Sequence, residues 1–144
     1  MELINFISIY DDIIAEKPFN KLLRVCKDFE WEDALVGNGD LNKDIRKVKT
    51  CDLSNYSDSM TNVHWHNVIQ NRFEAHLKKY VEVNNMKLMY RTPLGEIQVL
   101  KYGKSDHYTW HYDSGPGVNR TFSCVYFLNE DYEGGELCFR NPDG

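Results

Sequence analysis

The sequence predicts an α+β fold in which helices come first and an antiparallel β unit follows. The 144 residues are enough for one domain with its own core and too few for two. Apolar residues recur at helical spacing in the first half, and from Gly95 onward they alternate with polar ones. We therefore expect a single domain over 1–144, with a mainly helical support region over 1–94 and strands over 95–144.

The first helix is predicted to begin at Pro18, a residue suited to a first helical turn. Its apolar positions are Phe19, Leu22, Leu23, Cys26 and Phe29. The stretch VGNGD (36–40) then indicates a turn. It is followed by DIRKVKTCDL (44–53), which alternates as a strand does.

A second helix is predicted to begin among Ser59, Thr61 and Asn62, all of which are suitable caps. The pair Asn84-Asn85 is expected to end it. Its apolar stripe comprises Ile69, Phe73, Leu77, Tyr80 and Val81.

The second half is rich in aromatic and β-branched residues, which are typical of strands. Turn residues separate the segments that we expect to be strands. These segments are 96–102, 107–113, 120–129 and 136–140.

Composition excludes several classes of protein. A net charge of −5 argues against bulk neutralisation of nucleic-acid phosphates. We interpret the one basic cluster, formed by Lys43, Arg46, Lys47 and Lys49, as a solvated strand face.

No segment reaches the ~20 apolar residues of a membrane span. The four cysteines are scattered without C-x-x-C pairs, which favours reduced thiols and a cytoplasmic location.

The segment HYTWHYDSG (107–115) has the clearest chemical pattern. Side chains two residues apart on an extended chain point to the same face, so His111 and Asp113 should project together. An imidazole beside a carboxylate suits Fe(II), and such a pair with one distant histidine forms the non-haem iron facial triad. Taken alone, H-x-D arises often by chance, and a purely structural pair is the alternative.

The motifs around this pair form an ordered block over roughly the last third of the chain. They are Tyr102-Gly103, then Tyr108-x-x-His111-x-Asp113, then Arg120 through Leu128-Asn129, and finally Gly134-Gly135-Glu136-Leu137. In order and spacing the block resembles the Fe(II)/2-oxoglutarate dioxygenases of the prolyl 4-hydroxylase type.

The resemblance implies a double-stranded β-helix, or jelly-roll, in which His111 and Asp113 bind Fe(II). In that family 2-oxoglutarate is oxidatively decarboxylated to succinate and CO2 while O2 supplies the oxygen for hydroxylating a substrate, often a peptidyl proline. Ascorbate is a further cofactor expectation. By position, Arg120 and Trp110 would lie at the substrate mouth. The residues implied to contact the cosubstrate are Tyr102, Tyr108, Ser123, Phe127 and Leu137, with Val125 and Phe139 beside them.

The sequence departs from the family pattern in two respects. Phe127 stands where many members have a tyrosine that hydrogen-bonds the cosubstrate, a bond that a phenyl ring cannot make. The family's second metal histidine and its basic residue for the distal carboxylate follow the Gly-Gly-Glu hairpin, and the chain stops at NPDG before either. The expectation is a jelly-roll that is incomplete at its C-terminus, either as a fragment or completed by another chain.

No other histidine is expected to replace the missing ligand. His64 and His66 lie on the second helix, where residues two apart diverge by about 200°, so we interpret both as surface or packing residues. His76 is expected to be an ordinary neighbour of the apolar stripe. His107 is too close to His111 along one strand to be the distant ligand.

Three functions remain open at this point. The first is hydroxylation of proline in a peptide or protein partner, with a homo-oligomer as a further expectation. The second is a nucleic-acid demethylase of the same superfamily, which the acidic charge and the Gly-Gly-Glu hairpin make less favoured. The third is a truncated, non-catalytic β-helix that serves as a binding module.

Overall fold

The fold combines two helices with two small antiparallel sheets, which confirms the α+β class. It was obtained as a computed structural model that describes residues 3–37, 39–54, 59–87, 95–115 and 120–140. Within these ranges the helices are α1 (Glu16–Val25) and α2 (Met60–Val83), and short 3-10 helices cover Leu3–Phe6 and Cys26–Asp28. The strands are β1 (Glu32–Asp33), β2 (Arg46–Lys47), β3 (Lys49–Asp52), β4 (Gln98–Lys101) and β5 (His107–Tyr108).

Helix α2 begins and ends where the sequence predicts. The Ser59 hydroxyl accepts a hydrogen bond from the Asn62 backbone N–H at 3.3 Å, which satisfies one free donor of the first turn. At the other end Asn84 caps the helix, and Asn85 takes a positive φ of 51°. Asparagine tolerates this left-handed conformation better than most residues, so it terminates the helix.

The larger sheet has the strand order β1-β3-β4 and is antiparallel throughout. Its pairing continues past β3, where the Leu53 N–H donates to the Ile97 carbonyl at 2.9 Å. The smaller sheet pairs β2 with β5. The strand predicted over 44–53 is therefore divided at Val48 between the two sheets.

The core lies between the larger sheet and the two helices. Leu22 of α1 and Leu53 after β3 are fully buried. Helix α1 begins at Glu16, so Pro18 lies in its first turn as predicted. On α2 the buried residues are Trp65, His66 and Ile69, and the rest of the predicted stripe is half-buried. The cluster comprises Ile14, Leu22, Phe29, Cys51, Leu53, Trp65, Ile69, Ile97 and Val99.

The strands predicted late in the chain are shorter than expected or missing. Strand β5 covers only the first two residues of 107–113. The predictions of strands over 120–129 and 136–140 are wrong for the described structure, because neither segment pairs with another described segment. A strand exists only where a neighbour completes its hydrogen bonds, so a suitable sequence alone does not produce one. The described strands therefore do not by themselves establish a jelly-roll.

In the segment 120–129 the partly buried side chains are those of Phe122, Tyr126 and Leu128, and the other residues, Cys124 among them, are exposed. Tyr126 and Leu128 pack partly buried against the core, and the Phe122 ring lies 5.8 Å from the Tyr80 ring. Val125 and Phe127, by contrast, are exposed. The segment thus has one face toward the helices and one open face. In the Gly134-Gly135 pair both residues have positive φ, near 70°, a conformation that glycine adopts without strain.

The lysines of the basic cluster form ion pairs with nearby carboxylates. The Asp33 carboxylate pairs with Lys43 at 2.9 Å and with Lys49 at 2.8 Å. Hydrogen bonds from Lys49 and then Lys43 lower the pKa of Asp33 to about 2. Lys47 pairs with Asp106 at 3.1 Å, and all three lysines are exposed, so the predicted solvated face also carries ion pairs.

A tight turn joins β4 to β5. The Asp106 carboxylate accepts the Gly103 N–H at 2.7 Å, and the Asp106 N–H donates to the Gly103 carbonyl at 3.0 Å. The hydrogen bond from the Gly103 N–H and then the one from Lys47 lower the pKa of Asp106.

In the described part of the chain, neither helix has the length and apolarity needed to cross a bilayer.

Truncating the core should cost much more stability than truncating the surface. Leu22→Ala removes a fully buried side chain and should lower the free energy of unfolding by about 2–5 kcal/mol. Leu41→Ala, at a position that is 55% exposed, should change it by no more than about 0.5 kcal/mol. Urea denaturation followed by circular dichroism measures both values. Equal losses would contradict the assignment of the core.

The Asp106 carboxylate should stabilise the fold only while it is ionised. Because its folded pKa is lowered, its contribution is present above the unfolded value of about 3.9 and is lost as the pH falls through the lower folded value. Asp106→Asn should therefore unfold at lower urea concentration than the wild type at pH 7, and the gap should narrow below pH 4.

The matched control is Asp11→Asn, at an exposed carboxylate of the N-terminal segment, which should produce no such gap. The measurement is the urea midpoint of each variant at pH 7 and below pH 4. If the midpoints of the wild type and Asp106→Asn differ equally at both pH values, the effect comes from the shape of the turn and not from the charge of Asp106.

Candidate metal centre

The position of the His111 segment is set by the pairing of β5 with β2. Arg46 lies opposite Tyr108, and Lys47 lies opposite His107. One further hydrogen bond, from the Thr109 N–H to the Ile45 carbonyl at 2.9 Å, extends this pairing. The chain then turns away from the sheet and presents residues 110–115 to solvent.

His111 and Asp113 lie side by side, as their spacing predicts. The Nε2 atom of His111 is 3.2 Å from Oδ1 of Asp113. The other ring nitrogen, Nδ1, is 2.8 Å from the Thr109 carbonyl oxygen, so it carries the proton that it donates there. Nε2 is therefore the ring nitrogen that faces the carboxylate. Two lone pairs at this distance repel unless a proton or a cation lies between them.

The spacing of the two donor atoms fits a shared metal ion. Ligand bonds of about 2.1 Å that meet at about a right angle hold their donor atoms about 3.0 Å apart. The observed 3.2 Å is close to this separation. Both side chains are also accessible, with 36% of the His111 side chain and 48% of the Asp113 side chain exposed. An imidazole and a carboxylate are ligands that suit Fe(II).

Neighbouring side chains hold each member of the pair. The Ser123 hydroxyl donates a short hydrogen bond to Oδ2, the second carboxylate oxygen of Asp113. The Tyr108 ring stacks on the imidazole of His111, with centroids 3.6 Å apart and planes 15° apart. The Arg46 guanidinium also lies over the Tyr108 ring, 4.8 Å from its centroid. The structure thus brings Tyr108 and Ser123, both predicted to contact the cosubstrate, against the metal pair.

The remaining predicted site residues lie on the open surface. Tyr102 is half-exposed at the end of β4, and partial burial raises the pKa of its phenol. Trp110 is exposed, with the Arg140 guanidinium 4.7 Å from its ring centroid. Arg120 is also exposed. The apolar members of the set are about half exposed; they are Val125, Phe127, Leu137 and Phe139.

Within the described ranges, no group of three histidine, cysteine or acidic residues is arranged to hold a metal ion. His107 does not provide the third ligand, because its two ring nitrogens lie 3.3 Å from the Ser105 carbonyl oxygen and 3.2 Å from that of Asp44. His66 is buried on α2. The Nδ1 atom of His76 lies 2.8 Å from the Arg72 carbonyl oxygen. Among the described residues the candidate site is therefore the pair His111 and Asp113, one residue fewer than the three protein ligands of a facial triad.

A cavity elsewhere in the molecule is separate from this pair. It has a volume of about 480 Å³ and lies between α1 and α2, where Lys21, Arg24 and Trp65 contribute to its lining. None of the predicted site residues lines it.

Sequence reasoning missed the role of Arg46. We had assigned this residue to a solvated basic cluster, whereas its guanidinium lies against Tyr108. The only sequence signal was the alternation of DIRKVKTCDL, which indicated a strand without indicating its partner.

Comparison with known protein families identifies the C-terminal third of the chain. Residues 97–144, one third of the chain, match the family model of the 2OG-Fe(II) oxygenase superfamily. No curated protein and no solved structure matches the chain. The matched segment contains the His111–Asp113 pair together with Tyr108 and Ser123. The match supports membership of the 2OG-Fe(II) oxygenase superfamily, which implies Fe(II) and 2-oxoglutarate as cofactors and a dioxygenase as the activity.

Proposed function

We propose that the chain carries part of the active site of an Fe(II)- and 2-oxoglutarate-dependent oxygenase that hydroxylates proline in a peptide or protein. The observation that supports this most is the orientation of His111. Its Nδ1 lies 2.8 Å from the Thr109 carbonyl oxygen, so Nε2 is the nitrogen that faces Asp113 Oδ1, at 3.2 Å. A divalent cation between Nε2 and Oδ1 would use both atoms as ligands.

In the proposed reaction the bound iron and cosubstrate supply the oxidising power. One oxygen atom of O2 enters succinate as 2-oxoglutarate loses CO2, and the other enters the hydroxyl group of the product. The residues of the chain hold the components in place. His111 and Asp113 bind the metal, Ser123 orients Asp113, and Tyr108 orients His111.

The open face of residues 120–129 is the surface proposed to receive 2-oxoglutarate. Ser123, Val125 and Phe127 lie on this face, and Ser123 joins it to the metal pair through Asp113. Tyr102 and Leu137 are proposed to border the same surface. Phe127 can contact the methylene groups of the cosubstrate but offers no hydrogen bond to its carboxylate.

Proline as the target rests on the resemblance to prolyl 4-hydroxylases and on exposed aromatic rings beside the metal pair. Trp110 and Tyr112 flank His111 and are 56% and 82% exposed. Such rings suit packing against a pyrrolidine ring. Arg120 is proposed to contact the same peptide partner. We also propose a cytoplasmic location, in agreement with the free thiols of all four cysteines.

A non-catalytic binding module is the second candidate. It is favoured by one observation, namely that the described residues provide two metal ligands and no third. A site of this kind would bind a divalent metal weakly and would not turn over 2-oxoglutarate.

The two candidates can be separated by measuring succinate. The chain is incubated with Fe(II), 2-oxoglutarate and O2, with and without ascorbate, in the presence of a proline-containing peptide. Oxygenase activity predicts succinate formation that requires Fe(II) and rises with the peptide. A methylated oligonucleotide in place of the peptide tests the demethylase alternative. Metal binding without succinate under every condition would support the binding module instead.

Removing the imidazole should abolish metal binding while leaving the fold intact. His111→Ala should eliminate the Mn(II) binding measured by isothermal titration calorimetry, because one of the two ligands is lost. The midpoint of urea unfolding should change little, since the side chain is accessible. His76→Ala, which removes a histidine from the surface of α2, is the matched control and should bind Mn(II) as the wild type does. Loss of stability in His111→Ala comparable to that of Leu22→Ala would contradict the assignment.

A further inference from the structure

We propose that Arg46 is a positioning residue for the metal-binding imidazole and acts on it through the ring of Tyr108. This inference rests on the proposed function, because it assigns His111 to the metal. Arg46 itself touches neither His111 nor Asp113 in any contact that the structure shows.

The first step is the fixation of the Arg46 side chain. One terminal nitrogen donates to the Leu35 carbonyl oxygen at 2.9 Å, and the other donates to Oε1 of Gln98 at 3.5 Å. Leu35 follows β1 and Gln98 begins β4, so both acceptors are tied to the larger sheet. A guanidinium held at two points keeps its position better than a flexible ammonium group would.

The second step is the contact between Arg46 and Tyr108. These residues face each other in the β2–β5 ladder, and the guanidinium carbon lies 4.8 Å from the ring centroid. A cation within about 6 Å of an aromatic face attracts it electrostatically. The buried Nε of Arg46 has no hydrogen-bond acceptor among the described residues. Hydrogen bonding thus accounts for only part of the placement of the guanidinium, and the aromatic contact accounts for more.

The third step is the effect of the Tyr108 ring on the orientation of the His111 imidazole. The Tyr108 and His111 rings are stacked 3.6 Å apart and nearly parallel at 15°. Stacking fixes the plane of the imidazole, and the bond from Nδ1 to the Thr109 carbonyl oxygen fixes its rotation within that plane. Together they determine the direction of Nε2. The consequence is a layered arrangement of Arg46, Tyr108 and His111 that links the core sheet to the metal ligand.

The test compares Mn(II) affinity and the state of the His111 ring in variants of the full chain. Arg46→Met should raise the Kd for Mn(II) about tenfold or more, the range found when partners of metal-ligating histidines are removed. Arg46→Lys keeps the positive charge and one donor nitrogen but loses the planar fork of the guanidinium, so it should lose less affinity than Arg46→Met. Arg24→Met is the matched control, since Arg24 also donates to a backbone carbonyl, that of Asn20 at 3.2 Å, but does so on α1. Its Kd should equal that of the wild type.

Two further measurements separate positioning from simple structural support. In the metal-free wild type, the His111 ring protons should show the upfield NMR shift caused by the stacked Tyr108 ring, and this shift should be lost in Arg46→Met. The double variant Arg46→Met/Tyr108→Leu should bind Mn(II) no more weakly than Tyr108→Leu alone. Without the Tyr108 ring, Arg46 no longer has a contact through which it can orient His111. Additive losses would overturn the inference.

The inference and the proposed function fail in different ways. If the wild type binds Mn(II) through His111 but Arg46→Met keeps both the wild-type Kd and the upfield shift, the inference is overturned and the proposed function stands. If the wild type binds no Mn(II), both the proposed function and the role of Arg46 toward a metal are overturned.

Discussion

The two-residue ladder between β2 and β5 is the constraint on which the rest of the candidate site depends. Strand β2 is followed, after Val48, by β3, the central strand of the core sheet. Because Val48 and Cys51 are buried, the position of β2 is fixed by the core. Strand β5 is held against β2, so the backbone that carries His111 derives its position from the same core. A ladder this short contributes few hydrogen bonds. Two side-chain contacts, between Arg46 and Tyr108 and between Lys47 and Asp106, further hold these two segments together.

Stability and chemistry are located in different parts of the chain. The buried cluster comes from residues between Ile14 and Val99, on or beside α1, α2 and the larger sheet, and Tyr126 and Leu128 pack partly buried against it. The residues proposed to act on ligands follow, and most of them are exposed. Burying a charged metal pair would require its desolvation to be compensated, whereas an exposed pair remains open to exchangeable ligands. This division explains why removing a ligand and truncating the core are expected to have separable effects.

Local signals in the sequence were sufficient for part of the fold and part of the site. The caps of α2 at Ser59 and Asn84 were predictable because a cap depends on residues within one turn. The common orientation of His111 and Asp113 was predictable because it depends only on a spacing of two. The strand over 120–129 was predicted wrongly because strand formation depends on a partner that propensity does not reveal. The contact of Arg46 with Tyr108 was missed for the same reason, since it joins segments far apart in sequence.

The Ser123 hydroxyl shows how the open face of 120–129 and the metal pair form one unit. Asp113 directs Oδ1 toward His111, while Oδ2 accepts the bond from Ser123. A carboxylate whose second oxygen is engaged in this way offers a metal one oxygen instead of two, which leaves more coordination positions for other ligands. Ser123, Val125 and Phe127 are all exposed on the same face of this segment. The open face of residues 120–129 therefore matters for chemistry even without a ladder, because it carries the residue that orients Asp113 on the side where a cosubstrate is proposed to bind.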